Sequence, residues 1–219
     1  MNKEWSETNK QFQKLISREE TFADGIKLLL EFRGEMFAQI TQIVSEVPPA
    51  AFSEQPFPKS KGNDGFTLAW SMWHLFRIED IVCHELIALD QQILFAGNRQ
   101  SKINSKIITT GNEMNGTEFV DFSRPLSIPA LYDYCKAVFE SSNRILQKLT
   151  WADTKKTFTE QDKSNLITNG YVSSHPEAIW LADYWCGKNV VGLLKMPFSR
   201  HWIMHIEGMI KIVKKIVLK

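Results

Sequence analysis

Four long segments of the chain repeat apolar side chains every three or four residues, and no stretch alternates apolar with polar residues between hairpin turns. Such a chain is restricted to helices packed on helices. The first segment covers residues 18–44, with the stripe Leu29, Phe32, Met36, Ile40 and Ile43. Val47-Pro48-Pro49 stops it, because the residue before a proline is driven out of the helical region. The second covers 67–89 and sets Leu68, Met72, Leu75, Ile78, Val82 and Leu86 toward the core. The third opens with Ser127 as N-cap, Pro129 in the first turn, where a missing N–H costs nothing, and Asp133 near the positive end of the dipole. Its stripe is Leu131, Cys135, Val138, Ser142, Ile145 and Leu149. The last has Pro197 in its first turn and runs to the C-terminus.

Shorter amphipathic pieces are predicted at 5–16 and at 178–185, the latter entered through the cap Ser173-Ser174-His175-Pro176-Glu177 and closed by Cys186-Gly187. The connections are long: 48–65 is rich in Pro, Ser, Lys and Gly, 90–124 reads as loops with some local helix, and 151–170 is polar and reads as loop within a 151–174 connection. With 219 residues, 43% of them hydrophobic, a single core is affordable and one domain over 1–219 is expected. The prediction is an all-α fold, a four-helix bundle with long inter-helix connections.

Charge removes several partner classes. Lys plus Arg number 26 against 25 Asp plus Glu, and a balanced surface attracts neither phosphate backbones nor anionic bilayers. Neither nucleic acid nor membrane is therefore expected as a partner. The basic end, Lys211, Lys214, Lys215 and Lys219, reads as a solvated helix face. No window approaches the roughly 18 apolar residues of a spanning helix, Met1-Asn2-Lys3-Glu4-Trp5 has no signal-peptide core, and a cytoplasmic protein is expected. Cys83, Cys135 and Cys186 are odd in number and form no CxxC pair, which suits buried, reduced thiols.

The chemistry concentrates in the histidines. His201 and His205 are spaced i, i+4, about 40° apart on one helix face, the spacing that lets two imidazoles hold one ion. Gly208, Ile212 and Ile216 continue that face and Phe198 precedes it, while Arg200, Glu207, Lys211 and Lys214 lie opposite. The pair therefore points inward, where two polar rings need partners, supplied either by a metal or by hydrogen bonds to core and boundary groups. His74 has Trp70, Ile78 and Ile81 on its own side of the second helix and points inward too. By contrast, His84 shares an edge with Arg77 and Asp80 and reads as an Asp80–His84 surface pair, and His175 sits in a capping loop.

Other metal chemistries fit less well. A zincin needs a glutamate immediately after the first histidine, and that position is Trp202. Glu79 and Asp80 lie about 140° and 120° around the helix from His74, too far for a two-histidine, one-carboxylate iron site. Paired Glu-x-x-His motifs of di-iron proteins are missing. Three neutral histidines remain, with a divalent ion, zinc or nickel, and at least one open position.

A helical chain of this size with Trp-x-x-x-His-Leu around His74 on the second long helix, and His-x-x-x-His at His201 and His205 on the last, resembles the DinB/YfiT-like superfamily of metalloenzymes. The resemblance runs over about residues 18–216. It implies a four-helix bundle in which His74, His201 and His205 bind a divalent metal, and it implies a homodimer. It also implies a small-molecule substrate and a low-molecular-weight thiol as partner, with S-transferase or isomerase activity. Metal-activated hydrolysis is a further possibility. Trp70 would then line the approach or fill core, and Arg77 and Arg200 would meet an anionic substrate, lie at a solvated edge or form ion pairs. The alternative is a non-catalytic metal- or small-ligand-binding bundle with a closed coordination shell, for which Cys135 is the candidate fourth ligand.

Overall fold

Each long amphipathic segment becomes a helix in the computed structural model, which describes residues 2–217. Met1, Leu218 and Lys219, the last of these one of the four terminal lysines, lie outside the described residues. Asn2 accepts from the backbone N–H groups of Glu4 and Trp5 and starts α1, Lys3–Leu15. A 3₁₀ turn, Glu19–Thr21, leads into α2, Phe22–Glu46, four residues later than the apolar pattern suggests. Thr67 Oγ1 accepts from Trp70 N at 3.0 Å and caps α3, Leu68–Ile81, which continues through a π turn, Val82–Ala88, and closes at Leu89 in the left-handed region (φ 57°).

The 90–124 connection holds a 3₁₀ turn at Ile93–Asn98 and two short helices, α4 (Arg99–Ile103) and α5 (Glu118–Ser123), as the mixture of loop and local helix anticipated. Ser127 occupies the N-cap position of α6, Ile128–Lys148, although its hydroxyl makes no capping bond. The 151–170 stretch departs from expectation, since it contains α7, Glu160–Thr168. A capping box accounts for it: Thr159 accepts from the Asp162 N–H and Asp162 accepts from the Thr159 N–H. Then come α8 (Pro176–Cys186), capped by His175 Nδ1, α9 (Val190–Leu194), a π turn at Met196–Arg200, and α10 (His201–Val217).

The chain is all-helical, with no strand among the described residues. In the core α2 packs on α6 and α10, and α3 packs on the same two helices, while α1 covers α2. Among the described residues no helix is long and apolar enough to cross a membrane.

The position of α3 corrects the helical-wheel reading. Every residue from Leu68 to Ile81 is buried, so the helix has no solvated face and its three charged residues must find partners inside. Glu79 takes a bidentate Arg33, with Nη1–Oε2 2.9 Å and Nη2–Oε1 2.6 Å, together with Trp202 Nε1 at 2.7 Å and the Ser142 hydroxyl. Arg33 uses its remaining donors on Asn143 Oδ1 (2.8 Å), Phe198 O (3.2 Å) and Ser142 Oγ (3.4 Å), with its guanidinium over the Trp202 ring at 4.4 Å. Asp80 accepts from Ile93 N, Leu94 N, Tyr134 Oη and Arg77 Nη1 at 2.8–3.2 Å.

The Asp80–His84 surface pair is therefore not at the surface. Both side chains are buried, His84 Nε2 stands 3.7 Å from Asp80, and Nδ1 bonds Asp90. The physical reason is that the 90–98 segment folds back over this end of α3, as its two N–H groups on Asp80 require.

The Arg33→Ala substitution would leave Glu79 buried without its counter-charge and is expected to lower the unfolding free energy by about 3–5 kcal/mol in urea titrations. Lys10→Ala, which breaks the exposed Lys10–Glu7 pair, is expected to leave the midpoint unchanged.

Candidate metal centre

Three helical positions bring His74, His201 and His205 together. His74 lies midway along α3, His201 is the first residue of α10, and His205 comes one turn later. One ligand nitrogen from each lies within 4.8 Å of the others, and this set could hold a metal ion. The side chains are 4%, 8% and 4% exposed.

The hydrogen bonds around the rings define what the site lacks. His74 Nδ1 is 2.9 Å from the Thr110 carbonyl. A carbonyl only accepts, so Nδ1 carries the proton and Nε2 keeps a bare lone pair. That Nε2 is 3.2 Å from His201 Nε2. If His201 is protonated on Nε2 it donates to His74, and its Nδ1 lone pair is left buried without a donor. If it is protonated on Nδ1, that N–H has no acceptor and two lone pairs face each other.

Either way one His201 nitrogen goes unsatisfied, and His205 Nδ1 is likewise buried without a partner. A cation shared by the rings removes the lone-pair conflict. For the His74–His201 pair the 3.2 Å separation matches the roughly 3.3 Å edge of a tetrahedron with metal–nitrogen bonds of about 2.0–2.1 Å, and the three ligand atoms together lie within 4.8 Å. The donor set fits a divalent ion, and the Thr110 carbonyl supplies the outer hydrogen bond that such ligands characteristically make.

Burial sets the protonation states. Desolvation pushes His74 down to about 4, with the Thr110 bond working against it. Desolvation first, and then the neighbouring His74, holds His201 well below its ordinary value; burial, His201 and His74 do the same to His205. All three are neutral at pH 7, the form that ligates metal.

A strap of irregular backbone runs along α3. Four consecutive carbonyls accept from its side chains: Ile108 from Arg77 Nε (2.6 Å), Thr109 from Trp73 Nε1 (3.0 Å), Thr110 from His74 Nδ1, and Gly111 from Trp70 Nε1 (3.3 Å). Extended chain advances about 3.3 Å per residue and a helix about 1.5 Å, so a short run of strap matches two turns of helix. Gly111 has φ +79°, and a Cβ there would lie 2.7 Å from Trp70 Nε1, so both conformation and space call for glycine. Trp70 in turn stacks on His74 at 4.4 Å and 12°.

On the other side, Gly208 lets the Asn63 carbonyl lie where a Cβ would stand, 2.5 Å from it. This approach docks the 63–65 turn on α10 and sets Phe66 roughly parallel to His205 at 6.2 Å.

Several candidates lie elsewhere. Cys135 is buried and faces the Met72 carbonyl at 4.0 Å, outside the three-histidine cluster. Arg77 is committed to Asp80 and Ile108, Arg200 is exposed, and His175 caps α8. Thr110 and Gly111 act through backbone atoms, and their only signal in the sequence was the turn-forming Thr110-Gly111-Asn112.

No protein-family model matches the chain, and no curated protein matches it.

Two measurements check this geometry. The Gly111→Ala variant is expected to displace Trp70 and the strap, seen as loss of the protected His74 Nδ1–H resonance in proton NMR. In metal-free protein, His74 binds a proton more readily unfolded (about 6.5) than folded (about 4), so stability is fully present above pH 6.5 and falls toward pH 4. The loss from His74 is expected to reach about 3 kcal/mol in urea titrations with chelator, and His74→Gln should flatten the slope.

Proposed function

We propose that the chain is a metalloprotein of DinB/YfiT-like type, a four-helix bundle of α2, α3, α6 and α10. In this reading His74, His201 and His205 hold zinc or nickel, and the open position serves a small thiol or water. The observation that carries it is the 3.2 Å approach of His74 Nε2 and His201 Nε2, the first of them holding a bare lone pair because Nδ1–H is spent on the Thr110 carbonyl. A divalent ion there supplies Lewis acidity, lowering the pKa of a bound water or thiol.

The chain's own groups prepare for that role. The Thr110 carbonyl fixes the His74 tautomer so that Nε2 faces the other rings, and burial keeps all three imidazoles neutral. Neutral ligands bring no charge of their own, which favours an anionic fourth partner such as a thiolate. Trp70 and Phe66 back the rings with apolar surface that excludes water. A three-ligand set is the composition of sites that turn over substrate, whereas structural zinc takes four protein ligands. The reaction class we assign is thiol-dependent transfer or isomerisation, with metal-activated hydrolysis as the variant in which water replaces the thiol.

The depth of the rings favours a second reading, in which the ion serves stability alone. Chelation and metal restoration separate the two.

Untagged protein is expected to carry about one zinc or nickel per chain by elemental analysis, and His74→Ala or His201→Ala to lose it. Metal content unchanged in either variant removes that residue from the site. Added metal at 100 times its Kd is expected to raise the melting temperature of stripped protein by about 5–10 °C. A panel of thiols with electrophilic substrates should show turnover that chelation abolishes and metal restores. Restored stability without turnover selects the structural ion.

A further inference from the structure

The π turn at Met196–Arg200 ends where the ligand helix begins: the His201 N–H bonds Met196 O, five residues back. An extra residue in one turn rotates the helix on its N-terminal side by about 100° relative to the helix on its C-terminal side, so the ligand face of α10 is offset by that angle from the chain entering it. Contacts beside His201 hold it at that angle.

The residues on both sides of it are held by one buried pair. Phe198 O, three residues before His201, accepts from Arg33 Nη1 at 3.2 Å. Trp202, the next residue after it, donates through Nε1 to Glu79 Oε2 at 2.7 Å. Glu79 is on the same helix as His74, about 7.5 Å further along at 1.5 Å per residue, and Phe76 packs edge-on against Trp202 between these two levels at 5.1 Å. The Arg33–Glu79 pair is completely buried and its bidentate geometry allows little play.

We propose that Arg33 and Glu79 are positioning residues for the metal centre: acting through Phe198 O and Trp202 Nε1, they clamp the start of α10 so that His201 meets His74 at ligand distance. This rests on the metal-site reading of the three histidines. The pair touches neither the ion nor a substrate; its effect reaches the site through the backbone of residues 198–202.

The test uses cobalt(II) as a visible probe of the stripped full-length protein. Trp202→Phe keeps a ring in place but cuts the link to Glu79. Arg33→Met combined with Glu79→Gln cuts the link to Phe198 without leaving a lone buried charge. Leu146→Ala, in the other half of the core, serves as a control for general loosening. Both clamp variants are expected to fold by circular dichroism, to bind cobalt roughly tenfold more weakly, the low end for outer-sphere changes, and to shift the visible ligand-field band. Leu146→Ala should lose stability with the wild-type band and affinity intact.

Wild-type cobalt binding in both folded clamp variants overturns the proposal. An equal loss of affinity in Leu146→Ala also overturns it, because general softening would then suffice. If the wild-type protein takes up no cobalt, the metal-site reading fails and the proposal with it. If only the Arg33/Glu79 variant fails to fold, Trp202→Phe decides between these outcomes.

Discussion

The interaction on which this architecture depends is the buried pair between Arg33 of α2 and Glu79 of α3. Ser142 and Asn143 bring α6 into it, and Phe198 and Trp202 bring the start of α10. Four separate stretches of sequence thus meet at one guanidinium and one carboxylate. Burying such a pair gains little net stability over an apolar contact, since the desolvation of two charges offsets most of their attraction. Its effect is on selection among packings. A register that slides any of these helices leaves a charge bare in the core, whereas purely apolar stripes tolerate sliding with modest loss.

The burial of α3 on all sides is a result of the same arrangement. An ordinary amphipathic helix keeps its charges in water, but this one is covered by α6 and α10, along Trp70 to Arg77 by the strap and, toward its C-terminal end, by the 90–98 segment. Each charged side chain on it organises a different neighbour: Glu79 the long helices, Asp80 the start of the 93–98 turn and Tyr134, and Arg77 the Ile108 carbonyl. His74 sits among them and shares the enclosure. The depressed proton affinity of the three rings comes directly from that enclosure, and the site needs no nearby cation to keep them neutral.

The long helices were legible because their apolar spacing is regular, and the inward placement of His201 and His205 because residues four apart share one helix face. His74 could be joined to them by the same argument. The wheel failed where its premise failed: it assigns an outside to every helix, so Asp80 and His84 were read as a surface pair on an α3 that has no outside. The helix α7 escaped notice because its stripe is weak and its Thr159–Asp162 capping box lies in a polar stretch. The Thr110 and Gly111 contributions were invisible for a different reason. Peptide carbonyls are the same in every residue, so no pattern of side chains announces which one will orient a ring.

The strap over α3 joins two otherwise separate events. His74 offers Nδ1–H to a carbonyl of residues 108–111 and Nε2 to the cluster, and drawing electron density from one nitrogen strengthens the other as a donor. Whatever coordinates Nε2 therefore tightens the strap, and by reciprocity whatever lifts the strap loosens the coordination. The loop at 108–111 is in this sense a reporter of occupancy: its amide exchange rates would record the state of the imidazole that it covers.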